Sequence, residues 1–252
     1  MLLFIYFDKI VMNILAIIPA RKGSKGVPMK NIQKILGRPI IEYPIISAKK
    51  SKFVNKIVVS TDSRKIAKIV ETMGAEVPFL RPKKLSLDAT PELDVIKHTL
   101  KFLKKNQSYI PDIVITLHAT NPFVTSSMID RSIKMLKSSD ADLIIGVHQI
   151  KTHPYRSFWY QNGYLKRFNK NFNKYYQRQK FPSLYFPSGD FYTFWYKSFK
   201  KHGIIYGPKI KPLFYKKAEV SLYIDTIFDL FECEMTMKHW KKFEKKFNAK
   251  FK

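Results

Sequence analysis

The order of apolar runs and helical segments predicts an α/β fold built on a mainly parallel sheet. Three observations carry that expectation. Residues 14–18 and 113–117 are unbroken apolar runs, the form taken by strands covered on both faces. Segments with helical spacing of apolar residues alternate with them along the chain. Polar loops rich in glycine or proline stand where the apolar runs end, the edge at which open α/β sheets bind ligands. The 252 residues, 45% hydrophobic and 15% aromatic, suffice for one such domain with a packed core and a small appended lobe.

Taken in order, the run at 14–18 stops at Pro19 and gives way to a loop holding Gly23, Gly26 and the basic residues Arg21, Lys22, Lys25 and Lys30. A buried strand delivering a phosphate-binding loop has this form, and a nucleoside triphosphate is the expected ligand. A helix at 40–51 and a β-branched strand at 56–60 continue the unit. Asp62 or Ser63 can cap a helix at 64–73, which Gly74 terminates. Thr90 followed by Pro91 starts a helix at 91–105. The strand at 113–117 ends in the polar turn His118-Ala119-Thr120-Asn121-Pro122, and a helix at 127–137 leads to a strand at 143–147.

Between 151 and 183 aromatic residues alternate with lysine, arginine and asparagine, which predicts short antiparallel strands in a projecting lobe packed by its aromatics or by a second subunit. Pro187-Ser188-Gly189-Asp190 reads as a turn before a strand at 191–195. A last strand is expected at 218–226, with Thr226 and Asp229 as a capping box for a helix at 227–243.

Lysine and arginine number 46 against 19 aspartate and glutamate, a formal charge of +27. The lysines are scattered and form no block, so the charge is read as a solvated surface that collects small anions, in preference to a nucleic-acid interface. The single cysteine, Cys233, excludes an internal disulfide and a cysteine zinc cluster, and suits a reducing cytoplasm. Residues 1–7 are apolar but too short for a membrane span and lack a basic leader. Residues 1–12 are expected to be an extension without function, with Met12 as an alternative start, ahead of a catalytic unit at 13–245.

The loop spacing matches neither Gly-x-x-x-x-Gly-Lys-Ser/Thr nor Gly-x-Gly-x-x-Gly, which disfavours a P-loop ATPase and a dinucleotide-binding dehydrogenase. Gly23 and Gly26 admit close backbone approach to phosphate, and Arg21, Lys25 and Lys30 can neutralise a pyrophosphate leaving group. Residues 18–32, Ile-Pro-Ala-Arg-Lys-Gly-Ser-Lys-Gly-Val-Pro-Met-Lys-Asn-Ile, resemble the signature of the acylneuraminate (CMP-sialic acid synthetase) cytidylyltransferases. The likeness continues through Val58-Val59-Ser60-Thr61-Asp62, Leu80-Arg81-Pro82, Leu87-Asp88-Ala89-Thr90, Leu117 to Pro122 and Ile224-Asp225-Thr226, covering about residues 13 to 240.

The resemblance implies a Rossmann-like nucleotidyltransferase fold with an inserted dimerisation lobe at about 150–185. It also implies transfer of CMP from CTP to an acidic 2-keto sugar with Mg²⁺ and release of pyrophosphate. Ala20, Arg21, Gly23, Ser24, Lys25 and Gly26 thereby inherit nucleotide contacts, as do Asn31, Arg81, Asp88 and Thr90. Arg21, Lys30 and Asp225 inherit catalytic roles, Asp225 as the metal carboxylate, and His118, Thr120, Asn121, Ser188 and Gly189 fall on the sugar side. His98, His148 and His153 show no metal-ligand spacing.

Three departures from the family stand out, one on the metal side and two on the sugar side. Tyr223 stands where the family has the first aspartate of Asp-x-Asp-Thr, and Val124 and Phe186 stand where it has arginines. These imply an acceptor other than ordinary N-acetylneuraminic acid, such as a legionaminic- or pseudaminic-type sugar. Asp190 is read as a solvated turn residue, or alternatively as a replacement for the missing carboxylate. The competing readings are a CMP-3-deoxy-octulosonate synthetase, disfavoured by Gly23-Ser24-Lys25-Gly26, and a binding module that has lost turnover.

Overall fold

A computed structural model describes residues 12–24, 26–150, 152–173, 177–216 and 219–250. The expected extension at 1–11, Lys25 and Ala218 lie outside the described residues. Strand β1 (Ile14–Pro19) is followed by a two-stranded ribbon, β2 (Lys34–Ile35) and β3 (Arg38–Pro39), then α1 (Glu42–Lys49), β4 (Lys56–Ser60) and α2 (Arg64–Thr72). Helix α3 (Glu92–Gln107), β5 (Ile113–Leu117), α4 (Ser126–Lys137) and β6 (Leu143–Gln149) complete the first two thirds. The hairpin β7 (Phe158–Gln161) and β8 (Tyr164–Arg167) precedes β9 (Tyr185–Trp195), α5 (Tyr196–His202), β10 (Ile210–Phe214) and α6 (Ile227–Lys250).

The main sheet has the order β10-β6-β9-β5-β1-β4. β1 runs parallel to β4 and β5, and β10 parallel to β6, whereas β9 is antiparallel to both neighbours. Because side chains alternate across a strand, β1 serves two cores at once. Ile14, Ala16 and Ile18 join α1, α2 and α4 on one face, while Leu15 and Ile17 join Ile96, Leu100 and Leu103 of α3 with Phe194 on the other. This double coverage is why the strand carries no polar residue.

Two expectations are corrected. Residues 187–190 do not turn: they are part of β9, an eleven-residue strand, with Asp190 only 2% exposed. Residues 219–226 form no strand, and the sheet is completed instead by β10, whose alternation is hidden by Lys211 and Pro212 at an edge. The register of β6 on β9 shifts between Ile145 and Val147, where a Cβ on Gly146 would lie 2.4 Å from Tyr215 Oη and 2.7 Å from Ser188 Oγ. That bare position admits the Tyr215 hydroxyl to the sheet. The hairpin β7–β8 forms its own small sheet with every residue exposed.

Phe194 is 1% exposed and its ring lies 5.4 Å from that of Phe199. Phe194→Ala is expected to cost about 3–5 kcal/mol, read from urea denaturation, and a loss below about 1 kcal/mol would show that this core face is loosely packed.

Candidate active site

The loop after β1 is pinned from three sides. Ala20 donates its N–H to the Ser60 carbonyl (2.9 Å), Lys22 donates its N–H to Asp62 Oδ1 (2.7 Å), and Asn31 Nδ2 donates to the Arg21 carbonyl (2.9 Å). Asp62 is thus a loop tether, and Ser63 is the residue that caps α2 by accepting from Ile66 N–H. The far end of the chain closes on this loop. A Cβ on Gly26 would lie 2.1 Å from the Asp225 carbonyl oxygen, so only glycine fits there, and Lys30 Nζ lies 2.8 Å from Asp225 Oδ1. Ile224 N–H donates to the Thr120 carbonyl (3.2 Å), fixing the same segment to the loop after β5. Asp229 accepts from the N–H groups of Asp225 and Thr226 at 2.9 and 2.7 Å, the structural capping role expected of it.

Together these segments line a cleft of about 560 Å³ at the carboxyl end of β1 and β5. Arg21, Ser24, Gly26, Lys30 and Asn31 reach it from the loop; Arg81, Asp88 and Thr90 from the segment before α3; His118, Thr120 and Asp225 from the loops beyond β5 and before α6. Ala20 is buried beneath it, and Gly23 has open space around its Cα. Asn121 and Ser188, at 1% and 4% exposure, are buried and do not line the cleft; neither does Gly189, whose carbonyl meets His118 Nδ1.

Arg21 Nη1 pairs with Asp88 Oδ1 at 2.5 Å. Arg81 is 6% exposed, and its Nε and Nη2 have no hydrogen-bond partner among the described residues. Burial lowers its pKa, which the Asp62 charge opposes and the Arg21 charge reinforces. Unmet buried donors are costly, so an acceptor-rich ligand gains from meeting them.

Asp190 neither faces solvent nor lines the cleft. Its carboxylate accepts from Tyr215 Oη, Asn121 Nδ2 and, at 3.1 Å, Ser221 Oγ, so it replaces no metal-side carboxylate. Tyr223 is 55% exposed. Glu92 is the charged lining residue that sequence reading missed: it accepts from His118 Nε2 at 3.0 Å. Its position in the first turn of α3, just past Thr90-Pro91, was the available signal, but a glutamate there also suits the helix dipole.

Residues 15–233 match the family model described as cytidylyltransferase. The chain belongs to the cytidylyltransferase family. Among relatives, this cytidylyltransferase is 30% identical to the pseudaminic acid cytidylyltransferase of Campylobacter jejuni over 220 residues, 87% of this chain and 94% of that protein. It is 32% identical to the CMP-N,N'-diacetyllegionaminic acid synthase of Legionella pneumophila over 222 residues, covering 86% and 93% of the two chains. A solved CMP:2-keto-3-deoxy-manno-octonic acid synthetase, complexed with CTP, superimposes with a TM-score of 0.66 over 90% of this chain and 99% of that one; at 16% identity this shows the shared fold.

Burial disfavours the His118 imidazolium, but the Glu92 hydrogen bond and charge, with the Gly189 carbonyl and the Asp190 charge, outweigh it and raise the pKa above its ordinary value. A raised folded-state pKa contributes stability that is complete below the unfolded value of about 6.5 and is lost as pH rises through the folded value. The urea midpoint of this cytidylyltransferase is therefore expected to fall between pH 6 and pH 9, and Glu92→Gln to narrow that difference; an unchanged difference would remove the pair as its source.

Proposed function

We propose that this cytidylyltransferase transfers CMP from CTP to an acidic 2-keto sugar of the nonulosonate class, releasing pyrophosphate. The donor set of the cleft carries the reading. Arg21, Lys30 and Arg81 present cationic groups around a space of about 560 Å³, and two buried N–H groups of Arg81 await acceptors. A nucleoside triphosphate supplies both the negative charge and the acceptors.

In this reading the loop from Arg21 to Asn31 holds the triphosphate through Arg21, Lys30 and the open backbone at Gly23, with Lys25 and Ser24 adding phosphate contacts. Arg81, Asp88 and Thr90 frame the nucleotide. The acceptor lies toward His118 and Thr120, while Asn121, Ser188 and Gly189 support that side from beneath. The relatives named for pseudaminic and legionaminic acids, together with Val124 and Phe186 in place of arginines, favour an acceptor of that type over N-acetylneuraminic acid.

Asp225 lines the cleft with its side chain 65% exposed and bonds Lys30 through Oδ1. Mg²⁺ commonly takes one or two protein carboxylates and completes its shell with phosphate oxygens and water, so Asp225 is a fitting protein ligand. When bound, the ion would screen phosphate charge and favour in-line attack on the α-phosphorus. Lys30 holds Asp225 in place and adds its own charge beside the departing pyrophosphate.

We further propose a homodimer formed through the hairpin, where Trp159, Tyr160, Tyr164 and Leu165 are each at least 59% exposed. The buried, unpaired thiol of Cys233 suits action in the cytoplasm. No helix among the described residues is long and apolar enough to cross a membrane.

Pyrophosphate release from CTP and Mg²⁺ should require a nonulosonic acid, and release with none of a panel, joined to tight salt-sensitive RNA binding, would sink the enzyme reading. Lys30→Ala should slow turnover at least about tenfold, whereas an unchanged rate would remove Lys30 from the machinery. Light scattering should find a dimer that becomes monomeric when residues 155–182 are deleted; a shortened chain that still pairs refutes the hairpin interface.

A further inference from the structure

His118 lines the cleft, yet both its ring nitrogens are engaged within the protein. Nδ1 meets the Gly189 carbonyl, and Nε2 lies 3.0 Å from Glu92 Oε1. A carbonyl oxygen only accepts, so Nδ1 carries a proton; an ionised carboxylate only accepts, so Nε2 carries the other. The geometry therefore describes an imidazolium against a carboxylate, a pair that is neutral as a unit.

The surroundings sustain that state. Asp190 on β9 adds negative charge, and Tyr192 from the same strand sets its ring edge-on to the imidazole at 5.5 Å. Tyr192 packs in turn on Tyr206, and burial first, then that neighbour, pushes its hydroxyl far above the ordinary range, so it stays neutral. The remaining charged groups of the cleft are Arg21 with Asp88, Lys30 with Asp225, and Arg81.

We propose that Glu92, held and neutralised by His118, is the residue that reads the acceptor sugar. Its carboxylate takes hydrogen bonds from hydroxyl or acylamino N–H donors of the sugar, while the imidazolium cancels the charge that would repel the sugar's own carboxylate. This inference rests on the reading of the cleft as an acid-sugar transfer site. His118 is then a positioning residue whose charge depends chiefly on Glu92, the largest of the influences that favour its second proton.

The test follows the Michaelis constants for sugar and CTP separately from pH 6 to pH 9. Deprotonation of His118 turns a neutral pair into a net anion, so the sugar KM should rise at least about fivefold at the upper end, with the CTP KM moving less than about twofold. Glu92→Gln removes the hydrogen bond and the charge that most favour the second proton and leaves burial opposing it, so His118 should stay neutral across this pH range and the sugar KM should lose the upward limb. His118→Gln leaves Glu92 uncompensated, so its sugar KM should be raised at every pH and nearly flat. An upward limb that survives in Glu92→Gln, or sugar and CTP constants that rise together, overturns the proposal while leaving the enzyme reading intact. Absence of turnover with every nonulosonic acid overturns the enzyme reading and this inference with it. Glu92→Gln alone decides the matter should His118→Gln fail to fold.

Discussion

The buried carboxylate of Asp190 is the interaction on which the His118 side of the cleft depends. It sits in the middle of β9, and its donors come from three separate segments: Asn121 after β5, Tyr215 after β10 and Ser221 before α6. Burial raises its pKa, and the hydrogen bonds from Tyr215, Asn121, Ser188 and Ser221 pull it back. A charge kept out of water in this way holds its donors firmly, because any one that leaves exposes the rest to the cost of an unmet buried ion. Through Asn121 it sets the loop carrying His118 and Thr120, and through Ser221 it sets the approach to Asp225. The small residue at 146 belongs to the same arrangement, since any side chain there would displace Tyr215.

The Arg21 and Lys30 side of the cleft is organised by a different balance. Its cations are largely matched in the free protein, Arg21 by Asp88 and Lys30 by Asp225. Such partly exposed pairs contribute little to stability, which makes them easy to exchange for phosphate. Arg81 is the exception, being buried with donors unmet among the described residues. The excess charge of +27 lies mostly elsewhere, on residues that do not line the cleft. The two sides join where Gly26 touches the Asp225 backbone and Lys30 its side chain, Lys30 and Asp225 being separated by 195 positions of the chain.

Much of this was legible from residue order. The apolar run of β1, the loop after it, the cap at Ser63, the stop at Gly74 and the Thr226–Asp229 cap are local devices, each set by neighbours a few positions away. The cleft residues of the loop were also recognisable, because close phosphate approach demands glycine and cations at short spacing, whereas those of the Arg81 to Thr90 segment were legible only through the family resemblance. The misplacements share one cause. β9 crosses the sheet between β5 and β6 with glycine and proline in its span, and residues 219–226 look β-branched and apolar while taking their hydrogen bonds from loops. Local pattern favours the wrong state in both, since what holds them is pairing at long range.

By itself, then, the sequence determined an α/β cytidylyltransferase with a glycine- and lysine-bearing loop after the first strand, because motif, strand and cap are written within short windows. Only the tertiary structure decided what stands at the His118 end of the cleft: that Asp190 is a sealed hub and not a turn residue, and that Glu92 meets His118 across 26 positions of chain. Charge state and hydrogen-bond satisfaction are properties of groups brought together by folding, and no spacing along one strand or helix encodes them.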